Sequence, residues 1–456
     1  YAVIDYSIDT TAESAAAPVV FTVTPDSEVF IGAVTVEGGE RFGAGAIKRE
    51  LDIHEGKVYR RRDIQESQRH LLRSGYYTSA QLRVLDSADI NNGFDRLRPR
   101  FHVTVRESQA HYFNTRAGVL SDSLRDLVGE LQVIVGKRNF LRTRRLEAQA
   151  NGLFAFEGQV LLNHRYRLRF VEPWFLGIRM PLSLSGEYEP GIGSVLQPYR
   201  IQRWRFDAQT LWEIGRRQRI IFGWQYESVK IFDINPDELD VFREREGISV
   251  RRKIYVSVLR DTRDDIFVPR RGTVVDTKAE YYGDFLGGDA NFFKLEASWS
   301  KYQPFIGSIT RATRIKFGLA EPLGRADAVP SIDRFYIGGA NGIRGFALQE
   351  LPQPLDPGDV FSAGAEFYVI FNQELRFPLV GKLWGSTFLD AGNGWEGLDD
   401  PRISFDGGAY SYGMGVQYLS PAGPLRLDYA RRIKTKGIAN VAPRDDRFHF
   451  TILYAF

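Results

Sequence analysis

Apolar and polar residues alternate with a period of two through most of the chain after His111. Trp204, Phe206 and Ala208 are interleaved with Arg203, Arg205 and Asp207. Phe293, Leu295, Ala297 and Trp299 alternate with Lys294, Glu296 and Ser298, and Leu425, Leu427 and Tyr429 with Arg426 and Asp428. Successive side chains of a strand point to opposite faces, so each stretch predicts a strand with one apolar and one polar face. The segments are about 8 to 12 residues long and roughly sixteen in number, the even count of a bacterial transmembrane barrel. Gly, Pro, Asp and Asn separate them. A soluble sandwich or propeller would read the same alternation with its polar face in water. The many charges on the polar faces and the lack of a fixed-period repeat favour a mainly β fold: an antiparallel barrel, apolar outside and polar inside. No long helical pattern interrupts the region, which argues against a parallel α/β architecture.

The first 109 residues have a different texture. An apolar run from Phe30 to Val36 is closed by Gly38 and Gly39, and a short helical stretch spans Ala44 to Leu51. A longer helix is predicted over Arg61 to Ser74, with Ile64, Leu71 and Leu72 near helical spacing and Gly75 as its C-terminal cap. Strands over Tyr77 to Leu85 and Arg100 to Val105 complete a small α+β unit of order β-α-α-β-β. Before it, Tyr1 to Ile8 and Val19 to Thr24 read as a closing strand pair, as though the chain began inside a preceding copy of the same unit. The expected division is a remnant over 1–29, an α+β domain over 30–109 and a barrel over 110–456.

Composition narrows this picture. The formal net charge is +3 and charged residues make up 26%, a balance that points neither to nucleic acid nor to a polybasic membrane tether. Mean hydropathy is −0.28, and the sequence holds no apolar run of about 18 residues, so no transmembrane helix is expected. Alternating strands hide from an averaged hydropathy, and an aromatic content of 13% suits a membrane barrel. Cysteine is absent, which fits an envelope protein but carries little weight alone. An exported protein would carry a signal segment ahead of Tyr1.

Candidate catalytic chemistry is sparse. His54, His70, His102, His111, His164 and His449 are scattered, none paired at metal-ligand spacing, and without cysteine no thiolate zinc site can form. Neither a phosphate-binding loop nor a nucleophile elbow is present. Paired carboxylates are weak evidence inside a lumen full of charges. The expectation is therefore no enzyme activity, no metal and no cofactor.

Four stretches are more specific than periodicity. The first is Asp261-Thr262-Arg263-Asp264 with Pro269 and Gly272 after it, and the second runs from Ile337 to Phe346 and contains Ile343-Arg344-Gly345-Phe346. The third is Asn372-Gln373-Glu374-Leu375-Arg376-Phe377-Pro378 with Phe388-Leu389-Asp390-Ala391-Gly392, and the fourth is Ser420 to Asp428, leading to Phe456. In this order they resemble the BamA/TamA superfamily of outer-membrane assembly proteins. The N-terminal unit, with Gly75-Tyr76-Tyr77, resembles its POTRA domain. The resemblance implies a sixteen-stranded barrel with POTRA domains in the periplasm, Asp261, Arg263, Asp264, Pro269 and Gly272 in a periplasmic turn, and a surface loop folded back into the lumen.

Glu321 to about Ser362 is the longest turn-rich gap, consistent with such a loop. In Phe371 to Phe377 the odd positions are apolar, so Glu374 points inward; Leu389 and Ala391 suit the lipid face, so Asp390 points inward too. The family's arginine partners match these two residues. The resemblance thus implies a lumen clamp of Arg344, Gly345 and Phe346 on Glu374 and Asp390, whereas local sequence alone would leave Arg344 a solvated loop residue. The terminal strand carries Phe448, Phe450, Ile452, Tyr454 and Phe456 on one face, read as a recognition signal or as a lipid-facing aromatic strand. The first barrel strand, about His111 to Leu120, is poorer: Phe113, Thr115, Ala117 and Val119 face outward and Gly118 interrupts them. A weak first strand closing on the last would make a seam.

The implied function is insertion of β-barrel clients into the outer membrane, the partners being unfolded barrel proteins, membrane lipid and accessory subunits of periplasmic or lipoprotein type. The alternatives are a TamA-like factor for autotransporters and a two-partner-secretion or porin-type pore.

Overall fold

The computed structural model describes residues 2–8, 19–25, 28–85, 97–122, 125–155, 161–191, 200–233, 247–324, 326, 328–330, 333–347, 350–351, 364–398, 408–421, 423–433 and 446–452. The chain divides into two compact units: Tyr1–Tyr112 with Gly136–Leu146, and Phe113–Val135 with Glu147–Phe456.

In the first unit, β1 (Ala2–Ile8) pairs antiparallel with β2 (Val19–Pro25). The α+β part then runs β3 (Val34–Glu37), α1 (Ala44–Glu50), α2 (Arg61–Arg73), β4 (Tyr77–Leu85) and β5 (Arg100–Glu107). Its sheet order is β3-β5-β4, with β3 parallel and β4 antiparallel to β5. Ile47 of α1, Leu71 of α2 and Phe101 and Val103 of β5 are fully buried in one core. α2 ends as its sequence dictates: His70 and Arg73 occupy its last turn, where cations favour the helix dipole, and Gly75 follows with φ +74°. The strand expected from Phe30 begins only at Val34. Phe30 and Ile31 are apolar because they are buried or half-buried, but their amides bond to Leu97 and Lys57 carbonyls on different segments rather than to one ladder.

The large sheet lies mostly in the second unit. Its strands are β6 (His111–Asp122), β7 (Arg125–Phe140), β8 (Arg144–Ala155), β9 (Leu161–Glu172), β10 (Leu182–Glu189), β11 (Arg200–Ile214), β12 (Gln218–Phe232) and β13 (Gly247–Asp261). They continue with β14 (Gly272–Tyr282), β15 (Phe292–Pro304), β16 (Thr310–Pro322), β17 (Phe367–Val380), β18 (Leu383–Trp395), β19 (Ala409–Ser420), β20 (Gly423–Ile433) and β21 (Asp446–Ile452). Sixteen strands lie in one sheet in sequence order, from β6 at one end to β21 at the other.

Parity sorts the side chains of this wall. Phe206 sits opposite Tyr226 and Ala208 opposite Trp224 on the outer face, where Trp204 is 45% and Phe206 48% exposed. An apolar exterior of this extent is a lipid-facing surface. On the inner face Arg205 pairs with Glu187 at 3.0 Å and Glu227 at 2.8 Å, and Lys253 with Glu280 at 2.7 Å. Among the described residues no helix is long and apolar enough to cross a membrane.

Candidate functional site

The longest connection between adjacent strands of the described wall joins Pro322 to Phe367, and its Ile337–Phe346 segment folds on itself. The Ile343 amide donates to the Ile337 carbonyl at 2.9 Å, and the Gly339 amide to the Phe346 carbonyl at 2.8 Å. Two glycines make the fold possible. A Cβ on Gly338 would sit 1.9 Å from the Ala347 oxygen, and one on Gly342 would sit 2.0 Å from the Ile337 oxygen. Both clashes are with backbone, which cannot yield. Ile337, Ile343 and Phe346 are buried in a cluster with Phe292, Tyr368 and Ile370 from the wall. We expect Gly342→Ala to break the turn, at about 1–3 kcal/mol, the usual cost of overpacking. Hydrogen exchange at the Ile343 amide should accelerate while exchange in β11 and β12 stays unchanged; equal exchange at Ile343 would refute this.

The packing delivers Arg344, 2% exposed, to the inward faces of β17 and β18. Its Nε donates to Asp390 Oδ2 at 2.8 Å and its Nη2 to Asp390 Oδ1 at 2.7 Å, a two-pronged pairing. Its backbone amide also donates to Asp390 Oδ2, and Nη1 donates to Glu374 Oε2 at 3.2 Å. The guanidinium carbon lies 3.3 Å from the Phe388 ring centre, a cation–π contact. Glu374 and Asp390 are both fully buried.

Further residues complete the site. Arg426 donates to both oxygens of Glu374, at 3.0 and 2.9 Å, and to Asp428 at 2.8 Å; Arg376 donates to Glu374 at 2.7 Å. Asp428 lies 3.7 Å from Arg344. Arg344, Arg376 and Arg426 thus face Glu374, Asp390 and Asp428, and the charges of this set cancel, the condition for burying ions at tolerable cost. Asn372 bridges the Gly342 carbonyl at 2.9 Å and Asp390 at 2.8 Å. The Gly345 amide donates to Ser411 Oγ, and Arg432 donates to the Gly345 carbonyl. Arg426 and Asp428 escaped the sequence reading as site residues, although the apolar Leu425, Leu427 and Tyr429 already turned both inward. Ser411 and Asn372 also reach Asp390, but their bonds to the loop backbone carry no comparable signal.

The Asp261 motif forms the β13–β14 turn. Arg263 folds onto Asp261 with contacts of 2.7 to 3.2 Å. Asp264 Oδ1 accepts the amides of Asp265, Arg270 and Arg271. Pro269 is buried, and Gly272 has φ +116° with the Thr262 oxygen 2.5 Å from where a Cβ would stand. The Phe267 carbonyl accepts from Gln417 of β19, and Phe267 and Val268 border a small gap beside Glu374, Arg376 and Trp384. Partial burial raises the Asp264 pKa, but the Arg271 and Arg270 amides outweigh it and hold the carboxyl below its usual value. A depressed folded pKa makes the stabilisation complete above the unfolded value of about 4 and lost as pH falls through the folded one. Protection of the Arg270 and Arg271 amides should therefore be flat near neutrality and fall below about pH 4. Asp264→Asn should remove that acid-dependent fall; a fall of the same size in the variant would contradict the assignment.

Of the seam residues, Phe113, Ala117 and Gly118 lie in β6 and Phe448 and Phe450 in β21, the two ends of the sheet order. Phe113 is 66% exposed, and Asn114 to Gly118 are exposed as well, so burial does not separate two faces there. Phe448 and Phe450 are exposed on the outer face, Phe448 packing on Tyr429 with ring centres 5.0 Å apart. The Ile452 side chain, Tyr454 and Phe456 fall outside the described residues.

A family model described as the Omp85 superfamily domain matches residues 148–456. One described as the surface antigen variable number repeat, POTRA, matches 29–106. The chain is 23% identical to the outer membrane protein assembly factor BamA of Nitratidesulfovibrio vulgaris, covering 94% of this chain and 52% of that protein. It is also 23% identical to BamA of Neisseria meningitidis serogroup B, covering 97% and 58%. The chain thus spans between half and three fifths of the length of these relatives. In fold it is similar to a crystal structure of BamA from Haemophilus ducreyi lacking POTRA domains 1–3, with a TM-score of 0.68 at 17% identity, over 99% of this chain and 88% of that one.

Proposed function

The chain belongs to the Omp85 superfamily, and on that premise we propose that it is a BamA-like assembly factor, which folds β-barrel client proteins and inserts them into the bacterial outer membrane. Residues 30–109 serve as a periplasmic POTRA domain and 110–456 as the membrane barrel. The supporting observation is that the interior of the wall is occupied. A folded loop is locked there by a neutral ion cluster, with Arg344 and Phe346 almost inaccessible. A lumen built to pass solutes would be lined by mobile charges and water; one braced by a buried clamp serves the rigidity of the wall. Work on clients then falls to the edges of β6 and β21, whose closure forms a seam through which clients enter. An unpaired strand edge in hydrocarbon costs several kcal/mol per group, so a template that pairs it while it enters the membrane removes a real barrier. Main-chain pairing tolerates any client sequence and needs no cofactor.

The test is reconstitution. Vesicles carrying the protein should convert a urea-denatured outer-membrane β-barrel to its heat-modifiable, protease-resistant form faster than empty vesicles. Equal rates in the two would overturn the proposal.

A further inference from the structure

The terminal strand β21 is held from two directions. On its sheet side it pairs with β20, from Leu425↔Ile452 to Arg431↔Asp446 among the described residues. From inside, two of its side chains grip the lumen loop. Phe448 and Phe450 face outward, so parity sends Arg447 and His449 inward. The His449 Nε2 donates to the Arg344 carbonyl at 2.6 Å, at a site where the ring is buried; the carbonyl can only accept, which assigns the tautomer. Arg447 pairs with Glu350 of the same loop, and Arg432 of β20 holds the other Glu350 oxygen at 3.0 Å. Glu350 in turn accepts the Ala347 amide, closing the loop's end. The residue that locks the loop to β17 and β18 through its side chain thus receives β21 through its backbone. At the other end of the sheet order, Phe113–Gly118 of β6 are all exposed.

We propose that Arg447 and His449 are positioning residues that pin the last strand to the clamped lumen loop, so that β21 is the fixed side of the seam and β6 the side that moves. The loop holds β21 from inside the wall, in a buried setting where the bonds are not exchanged for water. Pulling β21 outward breaks the His449 bond and the Glu350 pair together; moving β6 breaks neither. The inference rests on the seam reading of the function, but its test does not need client folding.

The absence of native cysteine allows paired spin labels at chosen sites. One pair joins Trp299 on β15 to Phe448 on β21; the other joins Trp299 to Phe113 on β6. In vesicles the Trp299–Phe448 distance distribution should be narrow and the Trp299–Phe113 distribution broad. His449→Ala with Arg447→Ala should abolish the narrow peak and leave the Trp299–Phe113 distribution as it was, whereas His449→Gln, which keeps an N–H donor, should retain much of it. Should the double variant fail to fold, Glu350→Gln removes the ion pair alone and should broaden only the β21 distance. The proposal is overturned if β21 is as broad as β6 in the native protein, or if its distribution is unchanged in the variants. Distances as expected with no acceleration of client folding would sink the assembly reading and leave this one standing.

Discussion

Replacing Arg344 by alanine is expected to destabilise the barrel by about 3–5 kcal/mol, the cost of stranding buried charge. The size follows from what each carboxylate keeps. Glu374 would retain Arg376 and Arg426. Asp390 would retain the Asn372 amide at 2.8 Å, the backbone amide of position 344 at 3.2 Å and Ser411 at 3.5 Å, but no cation among the described residues. Most of the loss therefore falls on Asp390, and adding Asp390→Asn to Arg344→Ala should recover part of it. The two changes should be strongly non-additive, as expected of a shared pair. Arg344→Lys should fall between, because one ammonium cannot span both Asp390 oxygens and Glu374. Heat-modifiability of the purified protein in detergent reads these three variants and the Asp390→Asn single variant. A single Arg344→Ala variant within about 0.5 kcal/mol of the native protein, the range of ordinary surface changes, would mean that the cluster adds no stability.

Much of the wall can be read from parity alone. The alternation around Trp204, Phe371 and Leu427 sets which side chains meet lipid and which the lumen, and it turned Glu374 and Asp390 inward without reference to any neighbour. The motif resemblance led to the same superfamily as the family match. Parity stops where contacts cross the interior. Nothing local marks His449 as the partner of a carbonyl more than a hundred residues earlier, and a histidine with no metal-like spacing reads as incidental. Asn372, Ser411 and Arg432 escape for the same reason, since each meets loop backbone whose path depends on tertiary packing. The Phe30 run misled in the opposite way: its residues are apolar to fill a core, not to extend a ladder.

The central claim, that clients enter through a seam between β6 and β21, is tested most directly by closing that seam. A poorer β6, interrupted by Gly118, faces an aromatic-rich β21, and ladder strength depends on side-chain packing as well as backbone bonds. The closure should therefore be the weakest pairing in the wall and the place where it opens. Because the chain has no cysteine, a pair introduced near Ala117 and Ile452 would be the only disulfide that can form. The measurement is the rate of client folding into vesicles carrying this variant, first oxidised, with the crosslink verified, and then reduced. The account predicts an oxidised barrel that stays folded but loses client insertion by about tenfold or more, a barrier increase of at least ~1.4 kcal/mol, with recovery on reduction. A verified crosslink that leaves the insertion rate unchanged would contradict it.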